Sequence, residues 1–215
     1  MGALVTDDQQ GAIHVVVAPT PGQDRPAPER VRAQRGAARE ALTRAAALAG
    51  CPDASFEKTS ERGRPRPTAS GWHWTISHDR WFVAGAVREG GPLGVDLERV
   101  VLRRRELVER VADRAERRLL GEGDDPLDAT GFTRLWTSKE AVLKAEGIGL
   151  PGLKRARLIG VDGPHLTWVE YDGARRAVLH TRLAEHMISL CVREASDPPG
   201  VVWHLPALEP GGSAG

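Results

Sequence analysis

The stretch LWTSKEAVLKAEGIGL, residues 135–150, decides the fold, because its middle predicts a helix with charges among apolar residues. A single row of residues spaced four apart runs along that helix and consists of Phe132, Trp136, Glu140 and Lys144. An ordinary Glu–Lys helix pair, worth about 0.2–0.5 kcal/mol, explains the spacing of Glu140 and Lys144. It does not explain their position beside two aromatic residues, so we expect these charges to have a functional role.

A second stretch, LGVDLERV at residues 93–100, predicts a strand that carries two acids. Side chains alternate along a strand, so Asp96 and Glu98 share one face. Two carboxylates roughly 6–7 Å apart repel by ~2–3 kcal/mol at an effective dielectric of about 20. A divalent cation would reverse that repulsion, because Mg²⁺ prefers carboxylate oxygens. By itself the pair favours a solvated edge face, but together with the charged helix it predicts a site for one metal ion and a phosphate.

The composition indicates a soluble intracellular protein of one medium domain or two small halves. The chain has 215 residues, of which 40% are hydrophobic and 27% charged, enough to bury a core. A net charge of +1 gives no general affinity for polyanions. Two cysteines without a CxxC pair favour a reducing cytoplasm. No apolar run has membrane-spanning length and the N-terminus has acids where a signal peptide has bases, so we expect a cytoplasmic protein without a membrane partner.

The first part of the chain predicts three strands and one long helix. Alternating apolar residues predict strands at 12–18, 72–77 and 81–87. Residues 29–50 predict a helix whose apolar face consists of Val31, Ala38, Leu42, Ala45 and Ala49. Neighbouring turns of this helix carry a basic stripe of Arg32, Arg35 and Arg39.

The second part begins after a seam at residues 90–92 and contains helices followed by strands. One helix is predicted over 105–120, with an apolar face of Val108, Val111, Ala112, Ala115 and Leu119. The helix of WTSKEAVLK, residues 136–144, follows. From there on the pattern predicts strands at 156–161, 165–171, 177–183, 187–193 and 201–204.

Two short motifs in the first part could contact phosphate. Ser77 and His78 end a predicted strand, and neighbouring strand residues face opposite ways, which is unsuitable for a Ser–His hydrolase. His78 fits either a structural hydrogen bond or a phosphate contact. Arg64, within GRPRP, fits either a surface loop or an arginine clamp on phosphate.

The order of the motifs resembles the 4′-phosphopantetheinyl transferase superfamily, in its single-chain, surfactin-synthetase-activating type. The blocks are GRP at 63–65, ISH at 76–78, GVDLE at 94–98 and WTSKEAVLKAEGIGL at 136–150. The resemblance implies an α+β fold, a pseudo-dimer of two similar halves that each pack a long helix on a small antiparallel sheet. It implies an active site in the cleft between the halves, and transfer of phosphopantetheine from coenzyme A to a serine of an apo acyl or peptidyl carrier protein, with release of adenosine 3′,5′-bisphosphate.

The resemblance also implies a division of the chain. Residues 1–91 would form an N-terminal half that contacts the coenzyme A nucleotide. Residues 92–205 would form a C-terminal half with the metal site and the catalytic helix. We expect residues 206–215 to be a disordered tail and the protein to be a monomer.

Residue roles follow from the resemblance. The Mg²⁺ on the pyrophosphate would be held by Asp96, Glu98 and Glu140. Lys144 would contact the phosphate, and the serine proton would pass to Glu140, directly or through a metal-bound water. The nucleotide and its 3′-phosphate would be held by Arg35, Arg64, Ser77 and His78. Glu116 would correspond to a further acid near the site.

The chain departs from the family pattern at a few positions. The family's early lysines have no lysine counterpart, and Arg25, Arg30 or Arg32 would substitute for them. Asp79 stands where many relatives have serine, and Thr137 replaces the common serine or cysteine after the tryptophan.

Three other functions fit the sequence less well. A different Mg²⁺-dependent phosphoryl or nucleotidyl enzyme would need a Walker-type loop, which the sequence lacks. A nucleic-acid module could use the arginine stripe, but the net charge is +1 and the six tryptophans are scattered. An inactive carrier-protein binder would not need the intact acids and lysine. The sequence does not indicate which carrier protein or pathway is served.

Overall fold

The computed structural model describes residues 11–53, 55–59, 63–121, 128–193 and 198–208. Most of the predicted tail, residues 209–215, lies outside these ranges. The chain forms a mixed α+β structure with two sheets, as the sequence predicted. Among the helices in the described ranges, none has both the length and the apolar character needed to cross a membrane.

The first sheet contains four strands in the order β2-β3-β1-β9. Its elements are β1 Ile13–Pro19, helix α1 Ala27–Ala49, β2 His73–His78, β3 Phe82–Arg88 and the last strand, β9 Val201–His204. Helix α1 begins with a proline in its first turn and ends at Gly50, which adopts the left-handed conformation that glycine tolerates best.

The second sheet contains five antiparallel strands in the order β4-β8-β7-β6-β5. Its helices are α2 Arg105–Val111, α3 Arg114–Leu119, α4 Ala129–Glu146 and a short 3-10 helix, Leu150–Arg155. Its strands are β4 Leu93–Arg99, β5 Ala156–Asp162, β6 Leu166–Tyr171, β7 Ala174–Leu183 and β8 His186–Val192. Helix α4 begins after Asp128, whose carboxylate accepts the Gly131 N–H, and ends at the left-handed Gly147.

The two sheets pack face to face, with α1 and α4 on the outer faces. Alternation along each strand divides its side chains between the two sides. The core between the sheets is formed by residues that include Val15, Ala84, Val95, Leu97, Ile188 and Leu190. The opposite side chains pack against the helices, as Val16 and Val83 do against α1. The acids of β4 therefore face α4.

A glycine in each sheet allows the outer helix to approach closely. A Cβ at Gly85 in β3 would lie 2.7 Å from the backbone nitrogen of Leu42 in α1. A Cβ at Gly94 in β4 would collide with the Ala141 carbonyl of α4 and lie 2.9 Å from Lys144 Cβ. Both sites thus require glycine for space, and Gly94 brings the charged row of α4 directly over β4.

Strand β9 lies parallel to β1 in the first sheet, with Ile13 opposite Val201. We expected small antiparallel sheets and residues 201–204 in the C-terminal half. The first sheet is instead mixed, and the chain returns to it after completing the second sheet.

Two expected apolar faces are wrong in part. The helix predicted over 105–120 is two helices, because the Asp113 carboxylate accepts the Glu116 N–H and begins a new helix. The change of direction exposes Ala115 and Leu119 and buries Glu116. At the start of α1, Val31 is 41% exposed, since it precedes the part of the helix that packs on the sheet.

Candidate active site

The three predicted metal-binding acids lie between β4 and α4. Asp96 is buried and Glu98 half-buried on the face of β4 that packs against α4. Glu140 projects from α4 toward them, and its pKa responds to the charges of both. The structure therefore brings together Asp96, Glu98 and Glu140, as the alternation and the helical row predicted.

Lys144 connects this acidic cluster to the first sheet. Its Nζ donates to Asp96 Oδ1 at 2.7 Å, to Ser77 Oγ at 2.9 Å and to the Val95 carbonyl at 3.0 Å. Ser77 Oγ also donates to Asp96 Oδ1 at 3.1 Å. All three ammonium donors are thus used within the protein. Three elements, β2, β4 and α4, meet at this one cation.

The aromatic part of the row supports Glu98. The Trp136 indole N–H donates to Glu98 Oε1 at 3.3 Å, and Trp136 stacks on Phe132 with ring centroids 6.3 Å apart. Arg103 Nη2 lies 3.5 Å from Glu98 Oε2 on the more exposed side. The Trp136 ring packs against Phe132 while its nitrogen donates to Glu98, and this holds the carboxylate in place.

Burial and mutual repulsion raise the pKa of two of the acids. Desolvation is the main cause for both Glu98 and Glu140, and the negative charge of Asp96 adds to it. Lys144 opposes the rise in the pKa of Glu140, and Arg103 opposes it for Glu98. The cluster therefore holds more negative charge than its neighbours compensate.

Two carboxylate oxygens in this cluster are buried and make no hydrogen bond among the described residues: Asp96 Oδ2 and Glu140 Oε1. Unpartnered buried carboxylate oxygens are costly, and a hard divalent cation such as Mg²⁺ would satisfy them. As the side chains are placed, no group of three or more His, Cys, Asp or Glu residues in the described ranges has the spacing of a complete metal site. The donor chemistry fits a cation, and Asp96 and Glu140 are its best-supported ligands.

A cleft of about 1030 Å³ lies between α1 and the outer face of β2. Helix α1 lines it with the three arginines of the predicted stripe, Arg32, Arg35 and Arg39. Lys58, His78, Trp74 and one acid, Glu57, are among the other lining residues. Burial lowers the pKa of His78, and the nearby charges of Lys144 and Lys58 lower it further. A cleft with this concentration of basic groups is suited to a phosphorylated ligand.

The predicted nucleotide-binding residues divide into three places. Arg35 and His78 line the cleft together. Ser77 faces the opposite way, toward Asp96 and Lys144, because neighbouring strand residues alternate. The side chain of Arg64 lies against the end of α4, where a Cβ at Gly147 would be 3.6 Å from Arg64 Cδ. The structure thus does not place Ser77 or Arg64 among the residues that line the cleft.

Glu116 pairs with Lys139 in the interior. Lys139 Nζ lies 2.7 Å from Glu116 Oε1, and both side chains are almost fully buried. Glu116 also accepts the backbone N–H groups of Asp113 and Leu158. Its oxygens are therefore satisfied within the link between α3, α4 and β5. The family resemblance implied a further acid near the site at Glu116; the structure shows Glu116 in the interior, paired with Lys139.

Two residues of this region were not singled out from the sequence. Lys58 lines the cleft, and its signal was its rarity, because only four of the 30 basic residues are lysines. Arg103 approaches Glu98 from the loop after β4 and lies in a run of three arginines, which gave no indication of which one turns inward.

Comparison with known families identifies part of the chain. Residues 92–191 match the family model described as the 4′-phosphopantetheinyl transferase superfamily. The matched segment begins just before β4 and ends within β8, so it contains Asp96, Glu98, Glu140 and Lys144. No curated protein gives a significant match to the chain. The superfamily resemblance is thereby confirmed for this segment.

Proposed function

We propose that the whole chain is a 4′-phosphopantetheinyl transferase of the single-chain type. It transfers the phosphopantetheine arm of coenzyme A to a serine of an apo acyl or peptidyl carrier protein and releases adenosine 3′,5′-bisphosphate. The family match supports the transferase class. The arginine-lined cleft beneath α1 supports a nucleotide site in the part of the chain outside that match. We also propose that it acts as a cytoplasmic monomer.

One observation carries this proposal. Lys144 and Ser77 join the unpartnered carboxylates of the second sheet to β2, whose other face lines the basic cleft. A nucleotide held in the cleft can therefore extend its pyrophosphate past β2 to the acids. Coenzyme A has this arrangement of charge, with a 3′-phosphate and a pyrophosphate separated by a ribose.

The acids would hold Mg²⁺ through Asp96 and Glu140, with Glu98 as the third ligand. When bound, the cation would neutralise charge on the pyrophosphate as the leaving group departs. Trp136 holds Glu98 in place by its indole N–H. Lys144 lies within this group and would exchange one of its present acceptors for a phosphate oxygen.

The serine of the carrier protein must lose a proton as its oxygen attacks the β-phosphorus of coenzyme A. We propose that Glu140 accepts this proton with one carboxylate oxygen while the other would hold the cation, because its Oε1 is buried and has no partner among the described residues. The P–O bond to the leaving 3′,5′-bisphosphate breaks as the new bond forms, and the cations nearby stabilise the charge on the leaving group.

The test is direct. The purified protein is incubated with coenzyme A, Mg²⁺ and a panel of apo carrier proteins, and intact-mass spectrometry measures the gain of one phosphopantetheine. We expect at least one carrier to be modified and adenosine 3′,5′-bisphosphate to appear in equal amount. The matched control is the same carrier with its acceptor serine replaced by alanine. No mass gain on any carrier of a broad panel would reject the proposal.

A further inference from the structure

Strand β2 has two chemically different faces. Trp74, Ile76 and His78 face α1 and line the basic cleft. The intervening residues face the second sheet, and this alternation continues for one residue beyond the strand, to Asp79. We call Thr75, Ser77 and Asp79 the polar row of β2.

Each member of the polar row contacts the second half of the chain. Thr75 Oγ1 accepts the Val95 N–H at 3.1 Å, which satisfies the free edge of β4. Ser77 bonds to Asp96 and Lys144. The third contact is between Asp79 Oδ2 and His186 Nε2, at 2.7 Å.

The contact between Asp79 and His186 is well buried, with side chains 15% and 6% exposed. The two side chains approach closely without a well-aligned hydrogen bond, because neither ring nitrogen of His186 has such a partner among the described residues. The His186 ring also packs edge-on against Phe82, with centroids 4.8 Å apart. His186 begins β8 and pairs with Arg99 of β4, next to Glu98 in sequence.

Asp79 is also fixed from its own side. Its Oδ1 accepts the backbone N–H groups of Trp81 and Phe82, at 2.7 and 2.8 Å, and so forms the turn between β2 and β3. Its carbonyl accepts from Gln34 Nε2 of α1 at 2.6 Å, and Gln34 is next to Arg35 of the cleft. One residue thus connects α1, the β2–β3 turn and the start of β8 in the second sheet.

We propose that Asp79 is a positioning residue, which holds the cleft face of β2 at a fixed distance from the acids of β4 and α4 through His186. This inference rests on the proposed function, since it concerns how coenzyme A reaches both the basic cleft and the acids of β4 and α4. A bound coenzyme A spans them, so a small rotation of β2 would move its pyrophosphate relative to Lys144 while its nucleotide stayed bound. A misplacement of about 1 Å can cost up to ~10²-fold in rate.

The test uses Asp79→Ser, His186→Leu and the double variant of the full chain. Serine can still accept a turn hydrogen bond but cannot reach His186. We measure kcat and KM for coenzyme A, the dissociation constant of adenosine 3′,5′-bisphosphate by calorimetry, and Tm. The matched control is Asp113→Ser, which also replaces a backbone-capping aspartate, at the start of α3.

We expect each single variant to lower kcat by about 10-fold or more, with the bisphosphate dissociation constant within about twofold of wild type. We expect the double variant to be no slower than the slower single variant, because both remove one contact. Asp113→Ser should keep the wild-type kcat.

A kcat within twofold of wild type in Asp79→Ser, or losses that multiply in the double variant, would overturn the proposal. Weakened bisphosphate binding in proportion to kcat would also overturn it, by showing a general structural role. Failure of the proposed function is distinct, because wild type itself would then modify no carrier.

Discussion

Lys144 Nζ lies 2.7 Å from Asp96 Oδ1 and gives its remaining donors to Ser77 and to the Val95 carbonyl. Lys144 of α4 therefore compensates the charge of Asp96 in β4. Through its hydrogen bond to Ser77 it also holds β2 against β4 and α4. Glu140, one turn earlier on the same helix, has no such partner on its buried Oε1 among the described residues. We propose that Glu140 and Asp96 Oδ2, which this asymmetry leaves without a partner among the described residues, would hold an incoming cation.

Replacing Asp96 tests that metal site. Asp96→Asn keeps the side-chain volume but removes the charge that attracts Mg²⁺, so we expect kcat to fall by ~10²–10³. The fold should persist, since the change relieves repulsion with Glu98 and Glu140. Activity and Tm are measured with Mg²⁺ and with excess chelator, and Asp172→Asn, a surface ion-pair acid, is the control. Full activity of the variant, or of wild type in chelator, would contradict the metal site.

Replacing Lys144 separates binding from catalysis. A cation that counters charge in the transition state should lower the barrier, so Lys144→Ala is expected to reduce kcat by ~10²–10³. Lys144→Arg should recover little of the lost kcat, because a planar guanidinium does not fit three acceptors arranged around one ammonium. Both variants are assayed for kcat and KM. A higher KM for coenzyme A at unchanged kcat would show that Lys144 only docks the substrate.

The strands could be predicted from the sequence because their residues alternate between a core side and a helix side. Asp96 and Glu98 were placed on one face by the same alternation, and Glu140 and Lys144 by helical spacing. These relations are local, and each depends only on the geometry of a single element. The family resemblance added the expectation that the two elements meet.

Relations between elements were harder to predict. Lys139 and Lys144 lie on one helix, and only the three-dimensional position of Glu116 shows that Lys139 belongs to the interior. Arg64 and Arg35 were grouped by motif; the structure has Arg64 at the end of α4 and Arg35 in the cleft, and their shared nucleotide role stays a prediction. The break at Asp113 was missed because a capping aspartate also fits the polar face of a continuous helix.

Lys139 provides a contrast with Lys144. Lys139→Met leaves Glu116 buried without its cation, so we expect a loss of about 3–5 kcal/mol in the free energy of unfolding. Adding Glu116→Gln should recover part of this loss, because the amide oxygen can still accept the Leu158 N–H. Denaturant unfolding measures both, and kcat per folded molecule should remain near wild type. A large fall in kcat without a loss of stability would place Lys139 in the chemistry instead.

The raised pKa of Glu140 predicts a pH-dependent stability. Because the folded protein holds this proton more tightly than the unfolded chain, its contribution to stability is present at low pH and is lost as pH rises through the raised pKa. Glu140→Gln removes this loss, so in chelator its Tm should exceed that of wild type at pH 8. The difference should shrink at pH 4. A Tm difference that does not depend on pH would contradict this origin.

Coenzyme A should stabilise the folded protein more than dephospho-coenzyme A does, because the cleft that contains Arg35, Lys58 and His78 can pair with the 3′-phosphate. At a concentration of about 100 times its dissociation constant a ligand adds ~2.7 kcal/mol to the free energy of unfolding, which corresponds to roughly 5–10 °C in Tm.

Arg35→Ala should reduce the shift for coenzyme A to that for the dephospho form. Arg64→Ala is the matched control and should preserve the difference, since Arg64 lies beside Gly147 and not among the residues of the cleft. Thermal shifts of the three proteins with both ligands decide the matter. Equal shifts for the two ligands in wild type would mean that the cleft does not recognise the 3′-phosphate, and a lost difference in Arg64→Ala alone would move that recognition to the end of α4.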